Sequence, residues 1–186
     1  MAINLHKGQR IEVGLKRVGV GLGWDPNPTA SGSPYDLDAT AFLIGGNRKL
    51  PSDEYFVFYG NRRSPDGAVE SSGDDTTGGN SDGDDETLLV HLDKVSAQVQ
   101  EIIFCVSIHD FAERRQNFGQ VRNSFVRLYD LQTQEEIAKY ELDEDFSVET
   151  AVEFGRIYRR DQAWRFEALG IGYRDGLKEL VDKYSS

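Results

Sequence analysis

The segment Val18-Gly19-Val20-Gly21-Leu22-Gly23-Trp24 alternates large apolar residues with glycine. A period of two is the spacing of a β-strand that has one face in an apolar core, and glycines on a strand permit close approach of neighbouring groups. Residues 11–15 show the same alternation, and its phase slips at Lys16-Arg17, as a bulge or a tight turn between two strands requires. This part of the chain therefore predicts paired β-strands.

The same period recurs further along the chain, and residues 101–108 contain the continuous apolar run of a central, doubly covered strand. Helical spacing is clear only at 176–184, and a helical turn is expected within 112–118. Many short strands with glycine-rich connections predict an all-β fold, a two-sheet β-sandwich with a few short helices, including a C-terminal helix. The strands are expected at 11–15, 18–24, 37–44, 55–59, 87–92, 101–108, 124–131, 136–142, 150–156 and 164–172.

Length and charge limit the classes of function. The 186 residues suffice for a single domain, expected to span 1–186. A net charge of −11 argues against nucleic acid or an anionic membrane as the main partner and is compatible with cations. We expect no transmembrane segment and a cytoplasmic protein, because no apolar stretch has the length of a membrane span or a signal core. Cys105, within the apolar run, is expected to be a buried thiol.

A long acidic loop is expected at about 64–86. No Lys or Arg occurs between Ser64 and Asp93, although many carboxylates do. Glycines let such a loop turn sharply, and two carboxylates about 4 Å apart repel by about 4 kcal/mol at an effective dielectric constant of 20. The loop therefore needs a cation or stays open to solvent. Its candidate ligands are Asp74, Asp75, Asp82, Asp84, Asp85 and Glu86.

The acidic loop is not an EF-hand. A loop that starts at Asn80 has Asp85 where glycine is required and His91 where the bidentate glutamate is required. The oxygen-rich ligand set nevertheless suits a hard cation, and Ca²⁺ accepts the most flexible geometry. Mg²⁺ or Mn²⁺, and a loop that is merely solvated, remain the alternatives.

A second acidic element could complete such a site. Asp36 and Asp38 flank Leu37 at the start of an apolar strand, where residues two apart point to the same face. The alternative is that Asp36 ends a turn and Asp38 faces water. Asp25, which follows Trp24, is a third candidate; its alternative role is an Asx turn before Pro26.

Four motifs together resemble one known family. They are Gly21-Leu-Gly-Trp-Asp25, Tyr35-Asp-Leu-Asp-Ala39, the acidic run Gly73–Glu86, and Asn117-Phe-Gly-Gln-Val-Arg-Asn-Ser-Phe-Val-Arg127. In this order they are similar to the TerD domain of tellurite-resistance and stress-response proteins. The resemblance implies a sandwich that binds Ca²⁺ between the acidic loop and the Asp-Leu-Asp strand. Asp25, Asp36, Asp38, Asp74 and the run Asp84–Glu86 match family positions, whereas Asp75 stands where the family has an amide.

The function expected from the sequence is a non-enzymatic, calcium-binding module whose partners are calcium ions and other stress-response proteins. The alternative is a metal-dependent hydrolase or phosphoryl-transfer enzyme that uses the same carboxylates. No general base is identifiable from sequence, although His109 could lie near the acidic loop. The glycines of 19–23 lack the full spacing of a phosphate-binding loop, and no helix signal follows them.

Overall fold

The computed structural model describes residues 2–28, 32–72, 85–142 and 146–185. Within these ranges the predicted two-sheet sandwich is confirmed, with two short helices of which one is C-terminal. The strands are β1 (Ile3–Asn4), β2 (Arg10–Val13), β3 (Arg17–Gly23), β4 (Leu37–Ile44), β5 (Phe56–Val57), β6 (Val69–Ser71), β7 (Glu86–His91), β8 (Glu101–Ile108), β9 (Phe125–Asp130), β10 (Glu136–Glu141), β11 (Ala151–Arg160) and β12 (Ala163–Tyr173). The helices are α1 (Phe111–Arg114) and α2 (Gly176–Tyr184).

Each sheet contains six of these strands. The first, here sheet I, has the order β1–β10–β9–β3–β7–β6, and the second, sheet II, has the order β2–β12–β11–β8–β4–β5. The pairings are antiparallel except for β1 with β10. Strand β8 lies between β4 and β11 and is buried at every residue, as its apolar run predicts. No helix among the described residues is long and apolar enough to span a membrane.

The glycines of β3 make room for aromatic rings. A Cβ atom on Gly19 would lie 2.1 Å from Cζ of Tyr129, and one on Gly23 would lie 2.5 Å from Cζ of Phe125. Both rings come from β9, the neighbour of β3, and therefore lie against the strand itself. The guanidinium of Arg127 in turn lies 4.3 Å from the centroid of the Tyr129 ring. Close approach, rather than phosphate binding, explains these glycines.

The segment predicted as one long acidic loop contains a strand. Val69–Ser71 forms β6, which pairs antiparallel with β7 at the edge of sheet I. Val69 and its neighbour Ala68 are fully buried, and the Ser64 amide bonds to the Val69 carbonyl at 2.9 Å. Two apolar residues suffice here because β7 supplies a hydrogen-bonding partner, whereas the sequence alone showed only a brief interruption of an acidic stretch.

The C-terminal helix α2 covers part of sheet II through the face that its spacing predicts. Leu180 and Tyr184 are buried, while Leu177 and Val181 pack at the margin of the core. The ring of Tyr184 lies 5.0 Å from that of Phe42 in β4. Beneath the helix, β11 carries a buried carboxylate that accepts hydrogen bonds from α2 and β12.

Candidate metal site

The candidate site lies where the start of β4 in sheet II meets the end of β3 and the start of β7 in sheet I. Asp36 immediately precedes β4 and Asp38 is its second residue; both are buried, at 7% and 6% exposure. Burial of two carboxylates so close in sequence is costly unless a cation or hydrogen bonds compensate the charge. The structure thus excludes the alternative in which Asp38 faces water.

Two further buried carboxylates reach this junction at the start of β7, where Glu86 is its first residue and Asp85 precedes it. Asp85 and Glu86 are 8% and 7% exposed. Oδ2 of Asp85 accepts a hydrogen bond from the Trp24 amide at 2.9 Å, and Oε2 of Glu86 accepts one from the Ala39 amide at 2.5 Å. Since Ala39 belongs to β4, the carboxylate of Glu86 joins sheet I to sheet II. Strand β5 pairs with β4 only at Ala41 and Phe42. The Ala39 amide, which donates to Glu86, precedes that pairing in the chain.

Asp25 stands beside the same junction in a different environment. Its amide donates to the Arg122 carbonyl at 2.9 Å, and its Oδ2 accepts from Nδ2 of Asn123 at 2.6 Å. Asp25 is exposed. The indole N–H of its neighbour Trp24 donates to the Tyr35 carbonyl at 2.9 Å, which brings the chain around Asp25 towards the residue before Asp36.

His109 is adjacent to this group of acids. Its Nδ1 lies 3.9 Å from Oδ2 of Asp38 and its Nε2 lies 3.3 Å from Oδ2 of Asp110. Its amide donates to the Asp36 carbonyl at 2.8 Å. The structure therefore places an imidazole, 37% exposed, against one of the predicted ligands.

Gln116 begins the run Gln116-Asn-Phe-Gly-Gln120, for which the sequence indicates a role in loop packing. Gln116 is 5% exposed, and its Nε2 donates to the carbonyls of Ser33 (2.9 Å) and Pro34 (3.2 Å). These bonds hold the segment that leads into Asp36. Gln116 directly precedes Asn117-Phe-Gly-Gln in the sequence. A polar residue after a short helix does not, however, reveal which distant carbonyls it will contact.

The predicted ligands divide into two groups. Asp36, Asp38, Asp85 and Glu86 are buried in the segments that border the junction, and Asp25 lies at its side. Asp74, Asp75, Asp82 and Asp84 lie outside the described residues. Within the ranges that the structure describes, no three of the His, Cys, Asp and Glu side chains are arranged as a metal-binding group. The donor atoms of the four buried acids are carboxylate oxygens, which suit a hard cation.

Comparison with known proteins agrees with this architecture. A family model described as the TerD domain matches residues 1–184. The tellurium resistance protein TerD of Alcaligenes sp. is 47% identical over 99% of this chain and 97% of its own length. A stress response protein of Bacillus subtilis (strain 168) is 35% identical over 99% of this chain and all of its own length.

A solved structure has the same fold. The crystal structure of a homologue of telluride resistance protein (TerD) from Streptomyces coelicolor A3(2) superimposes with a TM-score of 0.76. The match covers 93% of this chain and 100% of that one, at 26% sequence identity. The similarity therefore extends over the sandwich as a whole.

Proposed function

This chain belongs to the TerD domain family of tellurite-resistance and stress-response proteins, and on that premise we propose that it is a Ca²⁺-dependent interaction module. The observation that carries the proposal is the burial of four carboxylates at the starts of β4 and β7, where Glu86 accepts a hydrogen bond from the Ala39 amide across the two sheets. The acidic run 73–84 connects β6 to this junction in sequence and supplies further oxygen ligands. The proposed metal ligands are Asp25, Asp36, Asp38, Asp74, Asp75, Asp82, Asp84, Asp85 and Glu86.

The role of the ion follows from electrostatics. Carboxylates about 4 Å apart repel by about 4 kcal/mol at an effective dielectric constant of 20, and a divalent cation converts that repulsion into attraction. Binding therefore offsets the repulsion among these carboxylates and changes the charge of the surface presented to a partner. Other stress-response proteins in the cytoplasm are the partners we propose. A single cysteine, present as the buried free thiol Cys105, is compatible with a reducing compartment.

One observation favours a second function, metal-dependent hydrolysis or phosphoryl transfer. The sequence offered no general base, but His109 lies beside Asp38 with its ring partly exposed. An imidazole next to a bound metal ion can accept a proton from an attacking water. We rank this second function below the binding module because exposure and proximity alone do not supply a substrate site.

Calcium is expected to stabilise the wild-type protein. At 100 times its dissociation constant, a ligand that binds only the folded state adds about 2.7 kcal/mol to the free energy of unfolding. The double variant Asp36→Asn/Asp38→Asn should lose this shift, since amides cannot supply the two negative charges. The measurement is the melting temperature with and without Ca²⁺, and with Mg²⁺ for comparison.

The control removes equal charge elsewhere. Asp161 and Asp182 have side chains 95% and 64% exposed, so Asp161→Asn/Asp182→Asn should keep the full calcium response. A wild-type melting temperature that does not change at millimolar Ca²⁺ would contradict calcium binding. Phosphoester hydrolysis that follows metal occupancy and disappears in His109→Gln would favour the enzymatic alternative.

A further inference from the structure

A cavity of about 760 Å³ lies at the opposite ends of β3 and β7 from the candidate metal site. Its wall combines the connection between β2 and β3, the end of β7, and the turn between β9 and β10. Pockets for small molecules typically measure about 300–1,000 Å³. This cavity has the size for a small ligand, and the calcium proposal makes no use of it.

Charges of both signs line this cavity. Lys16 and Arg17 contribute cations, and Asp93 and Asp130 contribute carboxylates. In the described part of the chain, none of these four side chains takes part in an ion pair. Oδ1 of Asp130 accepts a hydrogen bond from the Gln132 amide at 2.8 Å. The cavity thus keeps opposite charges apart.

His91 adds a polar atom without a partner. Its Nδ1 is buried and has no hydrogen-bond partner among the described residues. Burial is the largest cause of the lowered pKa of His91. The positive charges of Lys94 and Arg17 lower the pKa further, whereas the negative charges of Asp93 and Glu70 raise it. A neutral imidazole at neutral pH offers one ring nitrogen as an acceptor and the other as a donor. Because Nδ1 is buried, a ligand in the cavity would meet other atoms of His91.

Leucine side chains supply the remaining surface. Leu15, Leu89 and Leu131 all line the cavity, so its wall is both charged and apolar. A ligand with only a negative charge would bind Arg17 but lie near two carboxylates that it cannot satisfy. A ligand with only a positive charge would have the converse problem. A molecule that carries both charges and a short hydrocarbon chain matches every part of the wall.

We propose that this cavity binds a small zwitterion of the α-amino-acid type. The carboxylate of the ligand pairs with Arg17 and Lys16, and its ammonium group pairs with Asp93 and Asp130. His91 lines the same wall, and the aliphatic part packs on the leucines. Arginine suits this role because its planar guanidinium can bind a carboxylate through two hydrogen bonds.

Three matched probes test the proposal. Leucine carries both charges, 4-methylpentanoate lacks its ammonium group, and isoamylamine lacks its carboxylate. We expect leucine to shift the His91 imidazole resonances saturably, and each half-ligand to bind at least about tenfold more weakly, a loss of about 1.4 kcal/mol. His6 and His109 are reference signals in the same spectra, because neither lines the cavity.

Two conservative variants assign the two charges. Arg17→Gln should weaken the binding of leucine and of 4-methylpentanoate. Asp130→Asn should weaken leucine and isoamylamine, while its side-chain oxygen can still accept from the Gln132 amide. Calorimetry with the full chain gives the affinities, and calcium can be present or absent because the metal site lies at the other ends of β3 and β7.

Three results would overturn the proposal. Equal affinity for leucine and 4-methylpentanoate would show a simple anion site. Equal affinity for leucine and isoamylamine would show a simple cation site. The absence of a saturable shift of the His91 resonances up to about 10 mM leucine would show that no such site exists. A dissociation constant above about 10 mM corresponds to a binding free energy weaker than about 3 kcal/mol. None of these results bears on the calcium titration, so the two proposals can fail separately.

Discussion

Replacement of Glu153 by alanine is expected to lower the free energy of unfolding by about 3–5 kcal/mol and to loosen α2 from sheet II. Glu153 is 2% exposed, and its Oε1 accepts hydrogen bonds from three donors. They are Oη of Tyr184 at 2.7 Å, Oη of Tyr173 at 2.8 Å and Nζ of Lys183 at 3.0 Å. Removing the carboxylate therefore leaves two hydroxyls without their acceptor, while Lys183 keeps only its hydrogen bond to Oη of Tyr173 at 2.7 Å.

Urea unfolding measures the loss of stability, and hydrogen exchange of residues 176–184 shows whether the helix detaches. Asp182→Ala, in the same helix, is the matched control. It removes only the exposed pair with Lys178, so we expect a change below about 1 kcal/mol. Glu153→Ala with unchanged exchange in α2 would show that the carboxylate does not hold the helix.

The two tyrosines add an alkaline signature to this prediction. Burial, and then the hydrogen bond to Glu153, raise the pKa values of Tyr173 and Tyr184 above the ordinary value of 10.0. The stabilisation is therefore complete below pH 10, where the unfolded chain keeps both phenols protonated, and declines as the pH rises further. Glu153→Ala should show a shallower decline in stability above pH 10.

Arg156→Ala is expected to cost about 3 kcal/mol, because it removes the central cation of a chain of charges on sheet II. Its Nη1 lies 2.9 Å from Oε2 of Glu101, and its Nε lies 2.8 Å from Oε1 of Glu167. The side chains of these glutamates are only 10% and 12% exposed. Arg48 and Arg10 remain as their outer partners.

Arg48→Ala provides the comparison for Arg156→Ala. The Arg48 side chain is 56% exposed although it also bonds to Glu101, so its removal should cost less than about 1 kcal/mol. Chemical denaturation of both variants at neutral pH measures the difference. Equal losses would show that central position and burial do not decide the contribution of a charge in this chain.

Acid should reduce the effect of Arg156→Ala. Burial alone would raise the pKa of Glu167, but the hydrogen bonds and charges of Arg156 and Arg10 outweigh it and lower the pKa. A lowered folded-state pKa contributes stability above the ordinary value of 4.5, and that contribution is lost as the pH falls through the folded-state pKa. The variant and the wild type should therefore converge in stability towards low pH.

Periodicity allowed most of the sandwich to be predicted. The alternation at 18–24 and the apolar run at 102–106 appear as β3 and β8, because strands with one or two covered faces carry those patterns directly. Strand β6 did not have such a pattern. Its three residues depend on pairing with β7, which is a property of the assembled sheet.

For the candidate site, the sequence offers residue types but not their arrangement. Acidic residue types at Asp36, Asp38, Asp85 and Glu86 indicated a hard-cation site from the sequence. Their burial, the bond from Ala39 to Glu86 and the position of His109 follow from how β3, β4, β7 and β8 are juxtaposed. Such contacts join residues that are far apart in the chain, so one sequence without relatives does not contain them.

The rings that lie against β3 link the evolution of two strands. Position 19 can carry a larger side chain only if the ring at position 129 moves away or is lost, since the added Cβ atom would lie 2.1 Å from Cζ of Tyr129. The same dependence connects positions 23 and 125. Among homologues, glycine and aromatic residues at these two pairs should be inherited together, and lineages that lose one member should replace the other.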